Sequence, residues 1–354
     1  MEYPNVRRRQ RPPSEYPTSE SPHFHQGKKK DSSESKKGRR KRDQSTIKQQ
    51  ILVLLGSLSG LGVWYLTPVA SWITTVLVQQ IPVDADVILG RAALAEFESE
   101  YKAIYHPHWS PLVEQVGREL ISTLERTSSD VLEQAGGEHH AVEKTLVSLL
   151  DGLSPTTTRT SSKARIHGFK WDFAVVKAPI VNAFALPGGY IRVTDKLLET
   201  LSPTRGELAS LLGHEIGHAL FRHSQKRIVQ QKMFQLVISA LTYEDHDEDE
   251  ETFGEALGEL LLQSAQFFGR QKFSRDDEYQ ADATGWILLQ NSKSYNPQSV
   301  ESLLTKLWTL QGKTPTTLDW MSTHPATENR IEALQEKWKG LNRREKKRLE
   351  YRPI

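Results

Sequence analysis

A long stretch without a single charged side chain, residues 49–83, constrains this chain more than any other feature of its sequence. Within it, residues 51–78 are mostly leucine, valine, isoleucine, tryptophan and small residues. A helix needs about 20 apolar residues to cross the hydrocarbon core of a membrane. We therefore predict one transmembrane anchor within residues 49–82, which contacts lipid through residues 51–78. A buried core helix is the alternative, although core helices rarely run this long without a polar face.

Pro68 interrupts the predicted anchor and leaves its geometry open. Either the helix is kinked there, or residues 51–66 insert while residues 69–80 lie at the membrane interface. Basic residues precede the anchor and end at Lys48, whereas acidic residues follow it, so the positive-inside tendency places the N-terminus in the cytoplasm. The rest of the chain would then lie on the opposite side of the membrane. The mitochondrial inner membrane is the second choice of location.

Residues 1–48 contain almost no aliphatic side chains and are rich in lysine, arginine, serine and proline. Such a stretch buries too little apolar surface to offset the entropy of ordering, so we expect a disordered basic tail. Because few aromatic residues are interleaved with its charges, the tail suits anionic lipid headgroups better than nucleic acid. The net charge of +2 hides this tail, since acidic runs such as residues 244–251 balance it. We interpret that acidic run as a solvated loop rather than a calcium site.

The rest of the chain predicts an α+β, mainly helical domain over residues 83–338, followed by a basic C-terminal tail at 339–354. Apolar residues recur at helical spacing over 86–153, and β-type runs separated by turn residues follow over 164–193. We interpret these runs as a small antiparallel sheet of about three strands. Pro203 and Thr204 then open another helix. Further helices are predicted at 225–241, 253–270, 274–290, 297–309 and 325–338.

The helix that follows Thr204 carries the run His214-Glu215-Ile216-Gly217-His218. Histidines four residues apart stand one turn apart on the same helix face, so both can reach one metal ion. A nearby carboxylate can take a proton from metal-activated water, which is the chemistry of the H-E-x-x-H zinc motif. Because the chain has no cysteine, any metal must be held by histidine and carboxylate. Satisfied core histidines on a buried helix are the alternative interpretation.

A third zinc ligand must come from farther along the chain. His223 follows His218 by five residues, not the six that the extended H-E-x-x-H-x-x-G-x-x-H motif requires. Glu278 is the best candidate, and Asp282 lies one turn later on the same face, where it can accept the free N–H of a zinc-bound histidine. Taken alone, a glutamate in so polar a stretch is more often plain surface charge.

Four segments follow one another along the chain. They are Asn182-Ala183-Phe184-Ala185-Leu186-Pro187-Gly188-Gly189, His214 to His218, Glu278-Tyr279-Gln280-Ala281-Asp282, and Thr323-His324-Pro325 with Arg330. Together they resemble metallopeptidase family 48, which includes the HtpX heat-shock proteases, the CAAX endopeptidases, the BepA-like proteases and the OMA-type proteases. The resemblance covers roughly residues 83–338, and it is closest to the single-anchor OMA-type or periplasmic members because only one span is found here.

The resemblance implies a zincin-type metalloprotease domain with one zinc ion per chain. It implies that His214, His218 and Glu278 bind the zinc, that Glu215 is the general base and that Asp282 supports the ligands. It further implies that His324 and Arg330 stabilise the oxyanion of the tetrahedral intermediate. The strand formed by Asn182, Ala183, Phe184 and Ala185 is expected to pair with an extended substrate.

These observations predict a membrane-anchored zinc metalloendopeptidase that hydrolyses peptide bonds of misfolded or regulated membrane and envelope proteins. Its partners would be protein or peptide substrates and membrane lipid, with no nucleic acid, and the sequence leaves the oligomeric state open. A catalytically silent member of the family that acts as a chaperone-like binding protein is the alternative. No predicted ligand is missing and the general base is present, which favours the enzyme.

Overall fold

The computed structural model describes residues 81–128, 131, 133–135, 162–231, 272–310 and 319–353, together with residues 74, 77 and 78. Most of these residues are helical, and they include one small sheet. The helices are α1 Val83–Glu100, α2 Trp109–Arg126, α3 Ser162–Gly168, α4 Asp195–Leu201, α5 Arg205–Leu220, α6 Arg275–Asn291, α7 Gln298–Leu310, α8 Asp319–Thr323, α9 Glu328–Gly340 and α10 Arg343–Glu350. The strands are β1 Asp172–Val176, β2 Ala183–Leu186 and β3 Tyr190–Thr194.

The sheet has the expected three strands, but it is mixed rather than antiparallel. Its order is β1-β3-β2, with β3 parallel to β1 and antiparallel to β2. Successive strands alternate in direction, so β1 and β3 point the same way and become parallel neighbours once β3 lies between the other two. The prediction of an antiparallel sheet was therefore wrong, because β1 and β3 pair in parallel. The three strands and the short turn at Pro187–Gly189 between β2 and β3 are confirmed. The start of the predicted β region was wrong, because residues 164–168 belong to α3.

Glycine at position 188 is required by the contact between that turn and α1. Gly188 has a φ of 74°, a left-handed conformation that side chains other than glycine rarely adopt. A Cβ atom there would come within 2.7 Å of the Cα atom of Val87 in α1. The turn after β2 is thus pressed against α1.

The centre of the domain is the contact between α5 and α6. A Cβ atom on Gly213 would lie 3.0 Å from the Cα atom of Gly285, and one on Gly217 would lie 2.8 Å from the Cα atom of Ala281. Small residues at these positions let the two helix backbones approach closely. Side chains on the facing turns of α5 and α6 can therefore meet.

Capping explains where these two helices begin. The Thr204 side chain accepts the Glu207 backbone N–H and the Glu207 side chain accepts the Thr204 backbone N–H, which is a capping box at the start of α5. Ser274 and Asp277 make the same reciprocal pair at the start of α6. The predicted helices at 274–290, 297–309 and 325–338 are confirmed within a few residues, and residues 223–231 of the helix predicted at 225–241 are helical.

The anchor predicted at 49–82, the helix predicted at 253–270 and the acidic run at 244–251 fall wholly or almost wholly outside the described residues. Among the residues that are described, no helix is both long and apolar enough to cross a membrane. Part of the basic C-terminal segment forms a helix, α10, whose N-terminus is capped by Asn342.

Candidate active site

Helix α5 places the histidine-glutamate motif inside the protein. Every residue from Gly206 to Leu220 is buried, so the motif does not lie on a solvated face. His214 and His218 direct their Nε2 atoms toward each other at a distance of 3.0 Å. One turn of helix therefore presents two imidazole nitrogens to the same point.

Helix α6 brings Glu278 to that point, even though its sequence neighbourhood is polar. Only 1% of Glu278 is exposed, because the close contact with α5 buries its face of the helix. Its Oε1 atom lies 3.4 Å from Nε2 of His218, and its Oε2 atom lies 3.6 Å from Nε2 of His214. The sequence-predicted carboxylate and both histidines thus meet within the structure.

His324 joins the same cluster from the residue that follows α8. Its Nδ1 atom lies 3.0 Å from Oε1 of Glu278 and 3.2 Å from Nε2 of His214. Among the described residues, one ligand atom from each of His214, His218, Glu278 and His324 lies within 4.8 Å of the other three. The sequence analysis predicted that His324 stabilises the oxyanion and did not include it among the potential metal ligands.

These donor atoms fit a zinc ion. Zinc takes imidazole nitrogens and carboxylate oxygens about 2 Å away in tetrahedral geometry, so neighbouring donors lie roughly 3.3 Å apart. The separations among His214, His218 and Glu278 are 3.0, 3.4 and 3.6 Å. A cluster of nitrogen and oxygen donors without thiolate is also a common catalytic zinc site.

Comparison with known proteins agrees with this geometry. The family model for Peptidase family M48 matches residues 152–338, a range that contains every donor in the cluster. The chain belongs to this family. The matched region is accordingly a zinc metalloendopeptidase domain, and zinc is its cofactor, as the resemblance implied.

Individual relatives point in the same direction. Mitochondrial metalloendopeptidase OMA1 of Arabidopsis thaliana is 32% identical over 49% of this chain and 33% of the relative. The protein of the same name from Schizosaccharomyces pombe is 30% identical over 53% of this chain and 55% of the relative. The β-barrel assembly-enhancing protease of Yersinia pestis is 28% identical over 46% of this chain and 33% of its own length. The chain thus spans between a third and about half of the length of these relatives.

Asp282 and Arg330 hold one side of the M48 site. Oδ1 of Asp282 lies 2.9 Å from Nδ1 of His214, so that nitrogen carries the proton and Nε2 presents its lone pair to the cluster. Arg330 donates to both oxygens of Asp282 at 2.7 Å, and its Nη1 lies 2.6 Å from Oε2 of Glu278. The structure thus places Arg330 between two carboxylates.

Burial and charge act in opposite directions on the carboxylates of this network. Burial alone would raise the pKa of Glu278, but electrostatic interactions with the His324 imidazole and the Arg330 guanidinium hold that pKa well below its usual value. Burial opposes ionisation of Asp282 in the same way, and its hydrogen bonds with Arg330 and His214 lower its pKa. Burial lowers the pKa of His218 to about 4, although Glu278 opposes the shift. Ionised carboxylates and a neutral imidazole are the protonation states that a cation site requires.

Glu215 points toward the cluster with one oxygen held and the other available. Its Oε1 atom accepts the indole N–H of Trp320 at 3.1 Å, while Oε2 is buried and has no hydrogen-bond partner among the described residues. Burial raises the pKa of the Glu215 carboxyl, although electrostatic interactions with His218 and His214 and the hydrogen bond from Trp320 oppose the shift. A raised pKa makes the carboxylate a better proton acceptor.

Aromatic rings enclose the cluster and lower the local dielectric. The Phe273 ring lies 4.1 Å from the His218 ring, measured between centroids. Trp320 stacks on His324 with ring centroids 4.8 Å apart and an interplanar angle of 19°. Electrostatic interactions within such a buried site are stronger than in water.

The predicted substrate-binding residues lie at one edge of the sheet. Ala183, Phe184 and Ala185 belong to β2, which pairs only with β3 within the described sheet, and Asn182 precedes the strand. Val181 connects this strand to the site, because its carbonyl accepts the Trp320 backbone N–H. Phe184 packs edge to face against Phe97 of α1.

Proposed function

We propose that this protein is a zinc-dependent metalloendopeptidase that hydrolyses internal peptide bonds of protein substrates. The observation that carries the proposal is the buried cluster of His214, His218 and Glu278, with the Glu215 carboxylate beside it. A non-catalytic binding protein would not need a buried carboxylate with one hydrogen-bonded and one unpartnered oxygen next to a metal site. Family membership supports the same conclusion.

In this proposal His214, His218 and Glu278 hold one zinc ion per chain. Zinc, when bound, supplies Lewis acidity that polarises the scissile carbonyl and acidifies a water molecule. Glu215 acts as the general base that accepts the proton of the attacking water through its free oxygen and then passes it to the leaving amine. The Trp320 N–H keeps the Glu215 carboxylate in place for both transfers.

His324 and Arg330 are proposed to stabilise the charge that develops on the substrate oxygen. The placement of His324, with its Nε2 atom 3.9 Å from Oε1 of Glu215, supports a direct role near the reacting atoms. The contacts of Arg330 support an indirect role, because Nε and Nη2 already donate to Asp282, and Nη1 donates to the Pro325 carbonyl while lying 2.6 Å from Oε2 of Glu278. We assign Arg330 the task of keeping both carboxylates ionised and oriented.

The β2 edge is proposed to receive the substrate as an added strand. Backbone pairing along residues 182–185 would align an extended peptide while imposing little sequence selectivity. Such a mode suits a protease that acts on unfolded or partly unfolded segments. Misfolded or regulated membrane and envelope proteins are the substrates that we propose, in protein quality control.

The proposed setting is a membrane. Residues 49–82 would form the anchor, with residues 1–48 as a basic cytoplasmic tail, 83–338 as the peptidase domain on the opposite side and 339–354 as a basic C-terminal segment. Relatives named as mitochondrial metalloendopeptidases support the mitochondrial inner membrane as the alternative location. A C-terminal reporter that is active only outside the cytoplasm tests the orientation. A silent reporter would contradict it.

The experiment that tests the catalytic proposal uses the purified full-length chain and the substitution Glu215→Gln. The variant should keep one zinc per chain but lose casein hydrolysis by about 100-fold to 10,000-fold, because the general base is removed and the ligands are intact. Glu114→Gln is the matched control, since Glu114 is exposed on α2 and, among the residues that the structure describes, forms its ion pair with Arg118 of the same helix. It should leave both zinc and hydrolysis unchanged.

Two results would contradict the proposal. One is full hydrolytic activity in Glu215→Gln. The other is hydrolysis by the wild-type chain that is insensitive to a zinc chelator. In contrast, zinc binding without hydrolysis in the wild type would favour the chaperone-like alternative.

A further inference from the structure

His223 is a buried histidine that the proposed mechanism does not use. It is fully buried, and it lies outside the group of donors that could hold a metal ion among the described residues. Its Nδ1 atom lies 2.8 Å from Nδ1 of His218, on the side of the His218 ring that faces away from the cluster. On its other side, its Nε2 atom lies 2.9 Å from Oε1 of Gln280.

The contacts fix which nitrogen of His223 carries the proton. The Nε2 atom faces the Gln280 carbonyl oxygen and, at 3.6 Å, a carboxylate oxygen of Asp277. Asp277 already accepts the backbone N–H and hydroxyl of Ser274 with its other oxygen, and it lies 3.5 Å from Arg227, so it is an ionised acceptor. Because Nε2 faces only acceptor oxygens, it must donate. In a neutral ring, Nδ1 then offers a lone pair.

The position of the proton on His223 determines the tautomer of His218, which is a proposed zinc ligand. A lone pair on Nδ1 of His223 requires Nδ1 of His218 to carry the proton and donate it at 2.8 Å. A neutral imidazole holds one proton, so Nε2 of His218 must present its lone pair, and this is the nitrogen directed at the cluster. The opposite tautomer would place a proton where a metal ligand needs an electron pair.

A strained residue brings His223 to this position. Helix α5 ends at Leu220, and Arg222 then adopts a φ of 56°, a conformation more usual for glycine. The Arg222 guanidinium compensates by donating to Asp86 and to the carbonyls of Val78 and Ile81. The next residue, His223, contacts the His218 ring, with ring centroids 4.8 Å apart. Strain that surrounding contacts enforce is typical of functional positions.

We propose that His223 is a positioning residue for zinc: it accepts the Nδ1 proton of His218 and so holds that ligand in the tautomer and ring orientation that bind the metal. The proposal rests on the zinc-binding function proposed above. It explains the histidine five residues after His218, which the extended zinc motif does not accommodate.

Two substitutions of similar polarity separate this role from a purely structural one. In His223→Asn, the side-chain oxygen can occupy the position of Nδ1 and still accept from His218. In His223→Gln, the oxygen reaches the position of Nε2 instead, so His218 loses its acceptor. The measurement is the zinc dissociation constant of the purified full-length chain, obtained by competition with a chromophoric chelator, together with the thermal unfolding temperature of each metal-free protein.

We expect His223→Gln to weaken zinc binding by about 10-fold to 100-fold, the usual cost of losing a partner of a metal-bound histidine. His223→Asn should stay within about threefold of the wild type, and the two metal-free variants should unfold at similar temperatures. Equal zinc affinities in the two variants would overturn the proposal, as would differences that merely follow the unfolding temperature. A wild-type chain that binds no zinc would instead reject the proposed function itself.

Discussion

His214 and His218 stand one turn apart on α5, yet the protein supports their outer nitrogens in different ways. His214 faces the Asp282 carboxylate, which Arg330 in turn contacts with two hydrogen bonds. His218 faces the neutral ring of His223, which is followed by an amide and a more distant carboxylate. His214 therefore has a charged hydrogen-bond partner, here called the charged support. His218 has a neutral partner, the polar support, which only determines that its Nδ1 atom carries the proton.

This difference between the two partners limits the number of negative charges that are buried at the metal site. A second carboxylate beside His218 would add another buried charge next to Glu215 and Glu278, and burying an unpaired charge is costly. A neutral acceptor fixes the tautomer without that cost. The charged side should accordingly contribute more to metal affinity, and the following substitutions test this asymmetry.

The largest effect is expected when one histidine itself is removed. His214→Ala deletes a ligand and leaves Asp282 facing a cavity, so zinc should be lost and hydrolysis should fall at least about 1,000-fold. His218→Ala should produce the same loss, since the two rings contribute equal numbers of ligands. Metal content and casein digestion measure the two effects. If either variant retained zinc, the histidine that it lacks would not be a zinc ligand.

The next largest effect, a loss of zinc affinity, is expected when the charged partner of His214 is altered. Asp282→Asn should weaken zinc binding by about 100-fold, the upper end for a partner of a metal-bound histidine, because Arg330 also loses its main partner. Chelator competition measures this change beside the smaller one expected for His223→Gln. A larger loss on the His223 side would reverse the comparison between the two supports.

A smaller effect is expected at the general base. Trp320→Phe removes the N–H that holds Glu215 but keeps an aromatic ring beside His324, so kcat should fall about tenfold and the zinc affinity should not change. Steady-state kinetics with a fluorogenic peptide, together with metal analysis, separates the two quantities. Trp286→Phe is a suitable control, because Trp286 packs against Trp338 rather than against the cluster. An unchanged kcat in Trp320→Phe would contradict the proposal that the Trp320 indole positions Glu215.

The smallest effect is expected for a substitution at Glu207, which should change stability without changing zinc affinity. Burial opposes ionisation of Glu207, but Lys306 and the Thr204 backbone N–H lower its pKa below the ordinary value of 4.5. Because the folded-state pKa is lowered, the stability that Glu207 contributes is present above pH 4.5 and is lost as the pH falls below that value. Glu207→Gln can still cap α5, so it should cost only about 1 kcal/mol at pH 7.

Chemical unfolding of the metal-free protein at pH 7 and pH 3 measures this contribution. The difference between the wild type and Glu207→Gln should shrink at the lower pH, and the zinc affinities at pH 7 should be equal. A difference in stability that does not depend on pH would contradict the role of the Glu207 charge.

The sequence was most informative about α5 and least informative about what lies around it. The start of the helix follows from Pro203 and Thr204, and the ligand spacing follows from helix geometry. In contrast, Glu278 was a candidate ligand from the sequence and became a predicted one through the family resemblance, because its polar neighbours hide the burial that Gly213 and Gly285 make possible. Local pattern cannot reveal a contact between α5, which ends at Leu220, and α6, which begins only at Arg275.

Three further features could not be predicted for related reasons. Strand patterns locate each strand but do not show its neighbours, so the mixed order β1-β3-β2 escaped prediction. His223 was excluded from the extended zinc motif by its spacing, and only the structure shows that it contacts His218. The entry of His324 into the donor cluster likewise depends on the position of α8, which no local signal fixes.

Zinc K-edge X-ray absorption of the purified full-length chain tests most directly whether His214, His218 and Glu278 converge on one metal ion. The account predicts one zinc per chain with nitrogen and oxygen ligands at about 2.0–2.2 Å and the scattering signature of at least two imidazoles. A chain that binds no zinc, or a zinc surrounded by oxygen ligands without imidazole, would contradict it.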